Sequence, residues 1–271
     1  MSKLYIIGNG FDLKHGLPSR YSDFAKFCKK KNGKMYEQIN QLFPLITTSS
    51  LWSNFEDGLR YVDSVIMHAL SDEQKQLNEN NDLSHNIGTF LKNSFREWIT
   101  TTLNNQTENL QSRYIFDDSD CFVSFNYTNT LEKTYNISDK NILHIHGYAK
   151  PEEEKLFVGY LYGHNSKVAT QEDSEMSDFI NCFCKELQID VLKRQIKNWQ
   201  KEVTFDKIVI LGHSLNKVDI DYFEELYHLL PETPWYIEYH NEESLHQKIE
   251  NLKGIKDIPL RLVNFFEFKL L

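Results

Sequence analysis

The chain has 271 residues, 40% apolar and 25% charged, with 30 Lys and Arg against 39 Asp and Glu for a formal charge of −9. That composition is ordinary for a globular protein and excludes a disordered or fibrous chain. An acidic chain lacks the concentrated basic surface that coating nucleic acid requires, so no general nucleic-acid binding is expected.

Residues 4–7 are an apolar run closed by Gly8-Asn9-Gly10, which reads as a buried strand ending in a glycine turn. Residues 21–30 carry apolar side chains at helical spacing, and Lys29-Lys30-Lys31 reads as the solvated end of that helix. No proline occurs between Pro44 and Pro151. Trp52, Phe55, Leu59, Val62, Ile66 and Ala69 step by three and four, as do Ile87, Leu91, Phe95, Trp98 and Thr102, so 33–116 reads as a helical insert. One apolar stripe per helix asks for a partner helix or a second subunit, and a homo-oligomer is expected.

Strands then alternate with helices. Strands are predicted at 121–125, 141–145, 156–161, 207–211, 235–239 and 260–268, and helices at 128–135, 171–201, 219–230 and 242–252. A second, smaller helical insert is read at 162–204. The expectation is one α/β domain over 1–271, Rossmann-like, with a mostly parallel sheet and helices on both faces. The four cysteines contain no Cys-x-x-Cys pair, which fits reduced thiols and supports no zinc ribbon. No apolar run approaches the roughly 20 residues of a membrane helix, and residues 4–7 are too short for a signal-peptide core. A cytoplasmic protein without membrane contact is expected.

Ligands of parallel α/β sheets bind at the carboxyl ends of the strands, so the residues after each strand carry the functional reading. Gly8-Asn9-Gly10-Phe11-Asp12 is a tight turn or a phosphate cradle, with Asp12 placed to accept ribose hydroxyls and His15 as a helix-start residue or a ligand contact. Asn126 either caps the following helix or positions a water or a ribose. His144 and His146 alternate onto one strand face, and His146 before Gly147 reads as a catalytic histidine, a metal pair being the weaker reading. Gly212-His213-Ser214-Leu215-Asn216 nearly matches a hydrolase nucleophile elbow, with Asp219 or Asp221 and His240 or His246 downstream.

These pieces together resemble the bacterial AbiH family of phage abortive infection proteins. The residues that carry the resemblance are 4–13 with His15-Gly16-Leu17-Pro18, then Phe125-Asn126-Tyr127-Thr128-Asn129-Thr130-Leu131-Glu132. His144-Ile145-His146-Gly147 and Ile210-Leu211-Gly212-His213-Ser214-Leu215 with Asp219 and Asp221 follow. The order of the strand-tip motifs is also distantly similar to that of sirtuin-like NAD-binding proteins. That likeness implies a nicotinamide-ribose site lined by Asn126 and His146, with residues 8–12 on the phosphates and Gly212, His213 and Ser214 on phosphate or ribose. Thr128 stands where sirtuins carry an aspartate and the sirtuin zinc cysteines are absent, so hydrolysis of NAD or a related nucleotide is the implied activity, not protein deacylation. No further cofactor and no metal is expected. Two other readings stay open: a module that senses a nucleotide or a phage-derived trigger without turnover, and a nuclease using Asp12, Asp219 and Asp221 with a divalent metal.

Overall fold

The computed structural model describes residues 2–42, 77–147, 187–255 and 258–267. The predicted helix over 52–69, the strand at 156–161 and most of the insert at 162–204 lie outside the described residues. The chain divides into two compact units, Met1–Pro18 with Leu103–Glu153 and Gln188–Leu271, and Ser19–Thr102 with Glu154–Leu187.

The first unit is built on β1 (Ser2–Ile7), β2 (Cys121–Ser124), β3 (Ile142–His144), β4 (Phe205–Leu211), β5 (Trp235–Tyr239) and β6 (Val263–Glu267). All pairings are parallel and the order is β3-β2-β1-β4-β5-β6. Parallel strands are covered on both faces, so their sequences run apolar without alternation. Leu4, Ile6, Ile208, Ile210, Trp235 and Ile237 are fully buried on one face. Tyr5, Ile7, Phe122, Ile142, Val209 and Leu211 form the core of the other, with Phe11, Tyr114, Phe116 and Tyr135 packed over them. The strand order reverses direction at β1 and β4, which puts the ligand crevice of such sheets at their carboxyl ends.

Among the described residues the helices in chain order are α1 (Asn9–Lys14), α2 (Tyr21–Lys31), α3 (Gly33–Leu42), α4 (Leu77–Glu97), α5 (Thr130–Tyr135), α6 (Ile189–Trp199), α7 (Ile220–Leu229) and α8 (Glu242–Leu252). The first departs from the sequence reading, because the turn after β1 is Gly8 alone and helix begins at Asn9. Glycine at position 10 argues against helix by propensity, but a tertiary contact described below requires it there. Helix α5 starts at Thr130 and ends at Asn136, which takes the left-handed conformation at φ 55°.

In the second unit α2 buries Phe24, Ala25 and Cys28, and Phe24 packs edge-on to Phe95 of α4 at 5.2 Å and lies 5.4 Å from Trp98. Ile87, Leu91, Phe95 and Trp98 are buried as their spacing predicts. A π-helical turn, Trp98–Leu103, then adds a residue to the period and moves the buried position from Thr102 to Leu103. Lys29, Lys30 and Lys31 are exposed, and Lys31 pairs with Glu97. Among the described residues no helix is long and apolar enough to cross a membrane.

Candidate functional site at the carboxyl edge of the sheet

The loops after β1 and β4 meet backbone to backbone. The Gly8 N–H donates to the Leu211 carbonyl at 3.0 Å and the Gly10 N–H to the Gly212 carbonyl at 2.8 Å. A Cβ on Gly8 would lie 2.6 Å from the His213 Cα, and one on Gly212, which has φ +64°, would lie 2.1 Å from the Phe11 nitrogen. The glycines therefore serve loop-to-loop contact. The amides of Gly8, Gly10 and Phe11 are all taken by protein carbonyls. Phe11 is buried among aromatic rings, and only Asn9 of this loop is exposed.

His15 has a protein partner on each ring nitrogen. Its Nδ1 lies 2.7 Å from the Phe11 carbonyl and its Nε2 2.5 Å from the Tyr135 hydroxyl, which itself accepts the Arg113 N–H at 2.9 Å. The carbonyl can only accept, so the proton sits on Nδ1 and the ring is neutral. Burial pulls its pKa down in the same direction.

Asp12 is not an open strand-tip carboxylate. It lies in α1 at 1% exposure, and its two oxygens accept the Thr128 hydroxyl at 2.6 Å and the Thr130 hydroxyl at 2.7 Å. Burial pushes its pKa up to about 6, against the pull of those hydroxyls and of Asn126. Asn126 does not cap α5, whose N-cap residue is Asn129. Its Nδ2 donates to the Gly8 carbonyl at 3.1 Å, tying the tip of β2 to the tip of β1. Its own carbonyl faces His144 Nδ1 at 3.1 Å, and His144 Nε2 faces Glu132 at 2.8 Å.

The two histidines of the β3 motif have separate surroundings. The strand ends at His144, which faces Glu132 of α5, and the chain turns at 145–146, so His146 faces α7 instead. His146 Nε2 lies 3.4 Å from one oxygen of Asp219, and His213 Nε2 lies 3.4 Å from the other. The Leu215 N–H donates to His213 Nδ1 at 2.9 Å, which leaves the His213 proton on Nε2, facing the carboxylate. Leu215 achieves this from φ 59°, a conformation costly for a branched side chain. Phe125 sets its ring edge-on to both imidazoles, at 5.1 Å and 4.5 Å, and Tyr222 and Tyr127 stand 5.9 Å and 6.2 Å from His146. Both imidazoles are buried, at 3% and 5% exposure. A carboxylate between two imidazoles in an aromatic enclosure orients a general base and stabilises the imidazolium that forms when the base takes a proton.

The β4 loop is held from behind by charges. Glu238, 1% exposed, accepts the Gly212 N–H at 3.0 Å and the Tyr114 hydroxyl at 2.8 Å, and pairs with Lys14. Lys248 donates to the His213 carbonyl. Ser214 is exposed, and its carbonyl accepts Asn251 Nδ2 at 2.9 Å. His246, one of the two histidines of the elbow reading, turns its Nδ1 to the Glu242 carbonyl on the exposed side of α8. The aspartates of the nuclease reading are likewise dispersed, Asp12 among threonines, Asp219 between imidazoles and Asp221 on α7. Among the described residues no three His, Cys, Asp or Glu side chains are arranged to hold a metal ion.

Sequence reasoning named Asn126, His146 and His213 but not what joins them. It missed the partnership of Asp219 with two histidines, and it missed Glu238 and Lys248. Each left a signal: Glu238 is a charge inside an apolar strand, and Lys248 sits between Leu245 and Leu252 on the buried stripe of α8. A search of curated proteins finds no match. The family model described as bacteriophage abortive infection AbiH matches residues 4–239, and the chain belongs to that family.

Proposed function

We propose that this AbiH protein serves abortive infection by hydrolysing the N-glycosidic bond of an NAD-like nucleotide at the carboxyl edge of its sheet. The observation that carries the reading is the His146–Asp219–His213 group, which joins the chain after β3 to the chain after β4 in a sheet with the strand order of dinucleotide-binding folds. The sirtuin-like order of strand-tip motifs supports the choice of nucleotide. Cleavage of the nicotinamide–ribose bond passes through an oxocarbenium-like state. His146 takes the proton of the attacking water, a role worth about 10²- to 10⁴-fold, and Asp219 steadies the resulting imidazolium. Asn126 holds the ribose or the water from the neighbouring strand tip. The amides of Gly8, Gly10 and Phe11 are occupied, so phosphate or ribose contacts fall to the exposed Asn9 and Ser214.

Purified protein incubated with NAD, with nicotinamide followed by chromatography, tests the reading. Release by the wild type that is lost in His146→Gln supports it. Nucleotide binding by calorimetry without any release would assign a sensing role instead. Release that disappears with a chelator would point to metal chemistry.

A further inference from the structure

The backbones of three successive residues of the β4 loop are each gripped by a side chain from β5 or α8. Glu238 accepts the Gly212 N–H at 3.0 Å, Lys248 donates to the His213 carbonyl, and Asn251 donates to the Ser214 carbonyl at 2.9 Å. Lys248 is the unusual member. It is 6% exposed while the adjacent Ile249 is 36% exposed, so α8 buries its lysine and presents its isoleucine to solvent. A buried ammonium is costly unless it is paired and hydrogen-bonded, and here its hydrogen bond falls on the peptide that carries His213.

We propose that Lys248 is a positioning residue for the His146–Asp219–His213 group. Its ammonium fixes the His213 peptide, and so fixes the ring of His213 on Asp219 and the carboxylate against His146. The importance of this for turnover rests on the hydrolytic reading above; the positioning itself does not. The groups that face Lys248 are Glu238 on β5, which favours the charged form, and Lys14 on α1, which opposes it, with the His213 carbonyl as acceptor. Burial outweighs the attraction and brings the lysine down to about 8. The grip is therefore strongest when Lys248 is protonated and relaxes as pH rises through that value.

The test is the nitrogen NMR spectrum of ¹⁵N-histidine-labelled full-length protein, without nucleotide, titrated from about pH 6 to about pH 10. The wild type is expected to show His213 as the Nε2–H tautomer at neutral pH, with a change in its resonances centred near 8. Lys248→Met should shift the His213 signals at neutral pH and abolish that change. Lys248→Arg should keep the tautomer and also lack the change, because arginine stays charged. His213 signals in Lys248→Met that overlay the wild type, or a wild-type titration flat near 8, would overturn the proposal. If Lys248→Met does not fold, the wild-type and Lys248→Arg titrations still decide it. Where the wild type releases nicotinamide, Lys248→Met should lower kcat at least about tenfold with KM little changed. A wild type without release leaves the NMR arm intact, so failure of the hydrolytic reading and failure of the positioning role are told apart.

Discussion

Two buried polar groups share the carboxyl edge of one sheet, and they are built differently. Around Asp12 both carboxylate oxygens accept hydroxyls at 2.6 and 2.7 Å, and Asn126 bridges to the β1 loop at 3.1 Å. Around Asp219 the contacts are with two imidazoles at 3.4 Å, enclosed by aromatic rings. The first group matches donors to acceptors and binds the loops after β1 and β2 together. The second places two imidazoles on either side of one carboxylate, groups whose chemistry suits proton transfer. On the hydrolytic reading proposed above, the hydroxyls around Asp12 make it scaffold and the imidazoles around Asp219 make it part of the chemistry.

The comparison can be broken at several points. The largest loss of stability is expected from Gly212→Ala, which forces a left-handed alanine and a Cβ 2.1 Å from the Phe11 nitrogen. Strain and overpacking together should cost about 4 kcal/mol, read from urea midpoints. Asp12→Ala comes next. It strands the hydroxyls of Thr128 and Thr130 and should cost about 3 kcal/mol. If instead it melts like the wild type, Asp12 is not scaffold.

The pH dependence sharpens the same point. Asp12 has a folded pKa of about 6, above its usual 3.8, so its ionisation opposes folding. Its contribution to stability is full below 3.8 and is lost as pH rises through about 6. Measured against Asp12→Asn, which has no charge to lose, the wild type should gain about 2 kcal/mol between pH 7 and pH 4.5. A difference that stays constant across that range would show Asp12 to be an ordinary solvated carboxylate. The smallest effect on stability is expected from Asn126→Ala, about 1–2 kcal/mol for its contacts with the Gly8 carbonyl and Asp12, together with loss of nucleotide turnover. Turnover retained in that variant would confine Asn126 to the scaffold.

Much of this fold is legible in the chain. Each strand at the centre of the sheet is a short apolar run ending at a glycine or asparagine, because a strand buried on both faces leaves no polar alternation. The carboxyl edge was legible as a list of residues but not as a set of partners. His146 and Asp219 lie far apart in sequence, and only the turn at 145–146 aims one at the other. At α8 a charged residue stands on the buried stripe because its acceptor, the His213 carbonyl, lies on a distant loop. Gly8, Gly10 and Gly212 read naturally as a ligand loop. Their packing demand is set by another loop, which no local window contains.

The division between the two groups is tested most directly by measuring melting temperature and nicotinamide release on the same preparations of His146→Gln and Asp12→Asn. The account predicts that His146→Gln melts within a few degrees of the wild type while release falls about 10²- to 10⁴-fold, and that Asp12→Asn keeps release within about tenfold. Wild-type release from His146→Gln, with release abolished in a folded Asp12→Asn, would contradict it and move the chemistry to the other carboxylate.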